Sequence, residues 1–411
     1  MSEKHNSVSG KDNIECCGCG ACAIICPKHA ISMVKDEFGH FYPEISDNKC
    51  IDCGMCIKIC RFDKPECYSI KESYAAVNKN KEQLGKSSSG GMFSAIAGNA
   101  IKNDTYVCGA NLSFKDNIAI VKHILINGEK DISLLQGSKY VYSVASAGFE
   151  EVLTLLKNGN KVLFSGTPCQ VDAIKSLAGS KYQNDLCTID IICHGVPSQQ
   201  LFNEYLELES QKRKLSITNF VFRNKKYGWG LDGDISGNTF DGKNVSHHIE
   251  PDTSSYYHYF LEGDIYRDSC YNCPYAQKNR TGDITIGDYW GVEKYDSALM
   301  KENGGIFSGK DGVSCVFINT DKGKKLWESC ADVIDSRAVE FGNVAIINTQ
   351  LNKPASYSHM RQRLLTAYID SGYKGIQKIF LTWRIKRKIK SVIKKILPNQ
   401  IVAKIQNKKS K

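Results

Sequence analysis

Eight of the eighteen cysteines fall in one doubled pattern. Cys16, Cys19, Cys22 and Cys26, the last followed by Pro27, and then Cys50, Cys53, Cys56 and Cys60, both read C-x2-C-x2-C-x3-C. That run holds a cubane 4Fe–4S cluster. Three closely spaced thiolates wrap one face of the cube, and a distant fourth closes it. In two-cluster ferredoxins the fourth thiolate comes from the other run. The expected ligands are therefore Cys16, Cys19, Cys22 and Cys60 for one cluster, and Cys50, Cys53, Cys56 and Cys26 for the other. Gly18, Gly20 and Gly54 suit the tight turns this wrapping needs. Two four-cysteine runs argue against a zinc site or a disulfide framework. The chemistry implied is one-electron transfer.

A second group of thiols is scattered. Val162 to Ser165 reads as a strand, Gly166-Thr167-Pro168-Cys169 as a turn and Gln170 to Leu177 as a helix. Thr188 to Ile192, Cys193-His194-Gly195-Val196-Pro197 and Ser198 to Lys212 repeat the order, the signature of parallel βαβ units. In such sheets the turns after the strands share the edge where ligands bind, which sets Cys169 and Cys193 side by side. Cys270 and Cys273 add a C-x2-C, making the four thiolates a further cubane needs. Spacing alone leaves structural zinc or unrelated thiols equally open. Cys17, Cys67, Cys108, Cys187, Cys315 and Cys330 show no ligand spacing and read as core thiols.

The elements between these groups give organisation. Ala30 to Ile45 carries enough apolar material for two small hairpins over the clusters, and the cysteine-rich module should end near Cys67. Gly91 to Lys102 and Ala147 to Lys157 read as helices, Tyr106 to Leu112 and Ile118 to Ile126 as strands. The loop Ser87-Ser88-Ser89-Gly90-Gly91 enters the first of those helices. Backbone N–H groups and the helix dipole there suit a phosphate, or else a plain cap. Gln136 to Tyr140 offers Lys139 in a turn. No G-x-G-x-x-G is present, so a Rossmann site for NAD(P) gets no support. A two-electron cofactor is still expected, because clusters carry single electrons and a flavin joins the two regimes.

Ser88 to Ala97 (SSGGMFSAIA), Gly166 to Lys175 (GTPCQVDAIK), Cys193 to Pro197 (CHGVP), Phe222 to Lys225 (FRNK) and Arg267 to Gly291, with CYNCPYA and GDITIGDYWG, together resemble the beta subunit of coenzyme F420 hydrogenase/dehydrogenase. A two-cluster ferredoxin domain is fused in front. The resemblance spans roughly residues 10–345. It implies a bound FAD, a third 4Fe–4S cluster held by Cys169, Cys193, Cys270 and Cys273, and flavin contacts from Ser88, Ser89, Gly90, Gly91 and Lys139. It also implies electron exchange between the clusters and a hydride donor or acceptor, without fixing the substrate. Two departures stand out: Arg61 replaces the proline expected after Cys60, and the tail beyond about 375 lies outside the resemblance.

The fold expected is α+β followed by α/β. A bacterial-ferredoxin-like domain (10–70) precedes an α/β flavin-binding region with βαβ units (71–155 and 156–345) and a helical, basic tail (346–411). Expected partners are a redox protein or soluble electron donor and a small organic substrate, such as the deazaflavin coenzyme. A non-catalytic electron-transfer subunit is the alternative. His194 and Asp288 read as turn or packing residues, and no acid or base is assigned.

The net charge of +10 is unevenly placed. Thirteen of the 54 Lys and Arg follow Asp370 with no acidic residue among them, leaving 41 basic against 44 acidic groups before it. A nearly neutral body argues against nucleic-acid binding. In the tail, Ile376, Ile379, Phe380 and Trp383 share one helical face, and Ile389, Val392, Ile393 and Ile396 another. Pro398 stops the segment. This basic amphipathic pattern fits either an anionic membrane surface or a helix packed on the body. Met1 to Lys11 has no apolar run resembling a signal peptide, and the cysteine usage fits the cytosol.

Overall fold

The computed structural model describes residues 6–396. Both cysteine runs fold alike. Gly20 and Gly54 take left-handed backbone (φ +82° and +71°), each starting a five-residue helix, Ala21–Ile25 and Met55–Ile59. Glycine adopts that φ without a Cβ penalty. Between the runs, β1 (Ile31–Lys35) pairs antiparallel with β2 (Phe41–Ile45), Ile31 opposite Ile45. The apolar material suggested two hairpins. The described residues hold one, because this single pair and its turn through Gly39 consume the whole stretch.

The body follows: β3 (Glu72–Asn78), β4 (Thr105–Lys115), β5 (Ile118–Ile126), β6 (Lys161–Gly166), β7 (Leu186–Ile191), β8 (Leu215–Val221), β9 (Gly233–Thr239), β10 (Asn244–Ile249), β11 (Ile284–Asp288), β12 (Ser314–Ile318) and β13 (Ile334–Ala338). Among the described residues one sheet has the order β13-β3-β12-β11-β7-β6-β4-β5. Its centre, β4-β6-β7-β11, is parallel, as the βαβ pattern requires. The flanks are antiparallel: β5 on β4, and β12 between β11 and β3. All five residues of β12 are buried, fitting a strand covered on both faces. Because β3 lies between β12 and β13, the stretches 71–155 and 156–345 share this one sheet.

A second, antiparallel sheet, β10-β9-β8, was not expected from sequence. Helix Gln199–Arg213 covers it through an aromatic core that includes Phe202, Tyr205, Phe220, Phe222, Tyr256 and Tyr257. Helices His359–Ser371 and Tyr373–Ile396 complete that core. Tyr373, Ile376 and Phe380 are buried there, and Trp383 lies 4.0 Å from the His258 ring. The first apolar face of the tail is thus a packing face. Leu381, Ile385 and Ile389 remain exposed. The side chains of Val392, Ile393 and Ile396, and Pro398 itself, lie outside the described residues. No described helix is long and apolar enough to cross a membrane.

Candidate redox site

The crossover between the two runs sets the outermost group. Cys26, Cys50, Cys53 and Cys56 line one cavity of about 20 Å³. Cys53 is exposed, as are the neighbouring apolar side chains Ile51, Met55 and Ile57. Cys16, Cys19, Cys22 and Cys60 are partly buried, none of them exposed. Burial, with the neighbouring Cys16 and Cys60, pushes the Cys22 thiol up to about 12. Thiols that suppress one another's ionisation gain from a cation that takes them as thiolates. The donor set fits iron–sulfur ligation.

The scattered cysteines also converge. Because β6 and β7 are adjacent and parallel, the turns carrying Cys169 and Cys193 are neighbours. Thr167 caps helix Pro168–Ala178, placing Cys169 in its first turn, where the neighbouring Cys17 and then burial push its thiol well above the usual range. Cys270 lies within the short helical turn Asp268–Asn272, and Cys273 directly follows it. The loop after that turn is tied to β7 by the buried pair Arg280 Nη2 to Asp190 Oδ2, 2.8 Å. All four thiols line one cavity of about 40 Å³. Burial, and then a neighbouring cysteine in each case, pushes Cys193, Cys270 and Cys273 up to about 12.

Cys17 departs from the core-thiol reading. It lines the same cavity, and its neighbours Cys169 and then Cys19 hold its thiol well below the usual range. It therefore adjoins one residue of the first ferredoxin set and one of the scattered set. Of the others, Cys108, Cys315 and Cys330 are fully buried, as expected.

The scattered set forms a wall of a much larger cavity of about 470 Å³, shared through Cys17, Cys169, Cys193 and Cys270. Ser87, Ser88, Ser89 and Gly91 also line it, at the entry to helix Met92–Lys102. Ser138 donates from its backbone N to Ser88 Oγ at 2.9 Å, joining the two loops singled out in the sequence. Lys139 Nζ donates to the carbonyls of Leu135 and Gln136, each at 2.7 Å. Burial pushes its ammonium down from 10.5 to about 7, leaving a cation short of an anion at the cavity wall. Gly90 is absent from this lining. A Cβ there would overlap the Ala76 carbonyl and the Ser314 backbone, so its glycine serves sheet packing and a substitution would test the sheet.

Another part of the cavity is aromatic and charged. Arg223 holds Asp288 bidentately, Nη1–Oδ2 2.6 Å and Nη2–Oδ1 2.9 Å, and Trp229 Nε1 donates to Asp288 Oδ1 at 2.7 Å. Trp229 stacks on Trp290 with centroids 4.7 Å apart. Asp288 is thereby engaged as an acceptor. His194 opens to the cavity, with its pKa lowered by desolvation.

Residues 159–342 match the model of the C-terminal region of the coenzyme F420 hydrogenase/dehydrogenase beta subunit, and residues 15–64 that of a 4Fe–4S dicluster domain. The chain belongs to that beta-subunit family, with an N-terminal iron–sulfur ferredoxin domain. At this level its role is that of a redox subunit. The dicluster match corresponds to up to two 4Fe–4S clusters in the N-terminal domain. A curated relative, the F subunit of the F(420)H(2) dehydrogenase of Methanosarcina mazei, is 21% identical over 336 residues, covering 78% of this chain and 83% of the relative. An uncharacterized ferredoxin of Methanocaldococcus jannaschii is 32% identical over 71 residues, covering 17% of this chain and 91% of the relative. Among solved structures, a chain of the xenon-derivatised F420-reducing NiFe hydrogenase complex from Methanosarcina barkeri aligns at 17% identity and TM-score 0.43, covering 76% of this chain and 93% of that one.

The family motifs already contain Arg223 and Asp288, but 65 residues separate the pair, and nothing local in the sequence announces the contact. Cys17 carried a weak signal: it is the one cysteine inside the first run that the spacing leaves over.

Proposed function

We propose that this chain is an iron–sulfur flavoprotein oxidoreductase subunit with three cubane clusters and FAD in the large cavity. The observation that carries this reading is the shared wall, since Cys169, Cys193 and Cys270 border both the thiol cavity and the cavity of Ser88, Ser89, Gly91 and Lys139. FAD would exchange single electrons with clusters and hydride with a small organic partner, the deazaflavin coenzyme or another substrate. Around it, the Ser loop, the helix entry and Lys139 hold anionic phosphates, while Arg223, Asp288 and Trp290, backed by Trp229, form a preorganised wall for a planar organic ring. The exposed face of Ile51, Met55 and Ile57 beside Cys53 suits a protein electron partner, which also accommodates the alternative of a subunit working through another enzyme.

Reducing the clusters anaerobically with a one-electron donor should bleach bound flavin in the native chain. Cys193→Ser should retain flavin but slow its reduction at least about tenfold, a cost of about 1.4 kcal/mol in barrier. Equal rates in the two proteins would remove the scattered set from the path.

Lys139 gives a second expected result. An anion favours the charged ammonium, so above about pH 7 binding must return a proton to Lys139. Affinity should therefore fall as pH rises from about 7 towards 10.5. Lys139→Met should bind more weakly with a flatter profile. Calorimetric titration of apoprotein with FAD across this range checks both, and an unchanged profile in the variant would exclude Lys139 as a phosphate contact.

A further inference from the structure

Four arginines among the described residues are buried: Arg223, Arg267, Arg280 and Arg361. Three face a carboxylate, Arg223 that of Asp288, Arg280 that of Asp190 and Arg361 that of Asp268. Arg267, 1% exposed, forms no ion pair among the described residues. Its Nε donates to the Cys16 carbonyl and its Nη2 to the Phe41 carbonyl, both at 2.7 Å, and its guanidinium lies 4.0 Å from the Tyr42 ring centroid. Its Nη1 has no hydrogen-bond partner. A permanently charged side chain buried this way is costly unless an anion compensates it.

Its position supplies the candidate anion. The backbone of Arg267 belongs to the scattered thiol set, since its N donates to the Val196 carbonyl and its carbonyl accepts from the Cys270 N, each at 3.0 Å. Its side chain belongs to the first ferredoxin set through Cys16. Gly18 makes the approach possible, because a Cβ there would sit 2.8 Å from Nη1. Cys16 and Cys17 are among the anionisable groups that act on the guanidinium. Four thiolates outweigh the positive charge of a cubane core, so a ligated cluster is an anion, and one-electron reduction deepens its charge.

We propose that Arg267 is the fixed counter-charge of the cluster held by Cys16, Cys19, Cys22 and Cys60 and raises its reduction potential. The inference rests on the cluster reading above. A cation in low dielectric stabilises the more negative, reduced state. The balance is simple: one electron leaves the donor cluster, one enters this cluster, and no proton or ligand moves because the guanidinium stays protonated.

The test is an EPR-monitored redox titration of the anaerobically reconstituted full chain, with iron counted in parallel. The signal missing in Cys53→Ser marks the outer cluster and the one missing in Cys270→Ser the scattered-set cluster, which leaves the cluster held by Cys16, Cys19, Cys22 and Cys60 as the inner one. Arg267→Gln should disfavour reduction of the inner cluster at least tenfold, a fall of about 59 mV for a one-electron couple. The outer midpoint should stay put, and Arg267→Lys should recover most of the shift. Full iron with an unmoved inner midpoint in Arg267→Gln overturns the proposal, as does an equal shift of both clusters. If Arg267→Gln loses iron, Arg267→Lys decides. Retained iron and a near-native midpoint support the counter-charge, whereas iron loss matching the Gln variant means a structural clamp and overturns it. Absence of cubane signals in the unmodified chain would instead defeat the cluster reading itself.

Discussion

Anaerobic reconstitution is expected to load about twelve irons per chain, and Cys270→Ser about eight, at four irons per cubane. The expectation follows from convergence. Cys169, Cys193, Cys270 and Cys273 come from three separate turns yet line one cavity of about 40 Å³. Serine replaces a thiolate with an alcohol that hardly ionises, so the cluster loses a ligand. Both ferredoxin sets lie outside this loop and should keep their metal. Five thiols border the cavity where a cubane takes four, which makes Cys17→Ala the informative control. It should hold about twelve irons. A fall to about eight with Cys17→Ala, and full loading with Cys169→Ser, would exchange those two roles. A native value near eight, unmoved by Cys270→Ser, would eliminate the third cluster.

The second large effect concerns the C-terminal helix. Ending the chain at Asp370 removes Tyr373, Ile376 and Phe380 from the aromatic core, where they are 3%, 2% and 0% exposed. Truncating a buried Ile or Phe to Ala costs about 2–5 kcal/mol each. Losing three such side chains therefore costs on the order of 10 kcal/mol, comparable to the stability of a typical domain. That chain should fail to show a cooperative thermal transition. One ending at Arg384 keeps the packing face and should melt close to the full chain. The same pair of lengths addresses membrane contact. Residues after Arg384 carry most of the tail's charge, and each Lys or Arg near an anionic surface contributes about 1 kcal/mol, screened by salt. The full chain should co-sediment with anionic liposomes at low salt, and the chain ending at Arg384 should not. Equal binding to neutral and anionic liposomes would remove the electrostatic explanation.

How much of this was legible in sequence depended on range. The two cysteine runs are local, and their spacing alone grouped them with the crossover that brings Cys26 to Cys50, Cys53 and Cys56. Cys169 and Cys193 were readable because β6 and β7 sit next to each other in sequence and in the sheet. The sheet β8-β9-β10 was not readable. Its strands Gly233–Thr239 and Asn244–Ile249 are largely polar, and the apolar signal for that core comes mainly from Leu215, Ile217 and Phe220 of β8 and from the helix above the sheet. Cys17 has no spacing of its own, and Arg267 is recognised mainly by carbonyls that any residue could have supplied. The tail gave the right periodicity but not its meaning, since a membrane face and a packing face share the same pattern.

The placement of β3 bears on the order in which this protein can be assembled. Ala76 in β3 pairs with Ser314 in β12 and Ser336 in β13, so the strand leading into the Ser87–Gly91 loop waits for partners near the other end of the chain. Such distant pairings close slowly. All eight ferredoxin cysteines lie between residues 16 and 60 and emerge before β3 and its partners during synthesis. A nascent chain can therefore collect iron on these cysteines well before the large cavity has a floor. If the proposed cofactors are bound, loading would run in the sequence metal first, scattered thiols next and dinucleotide last, so a cell short of flavin would accumulate metallated, half-furnished chains.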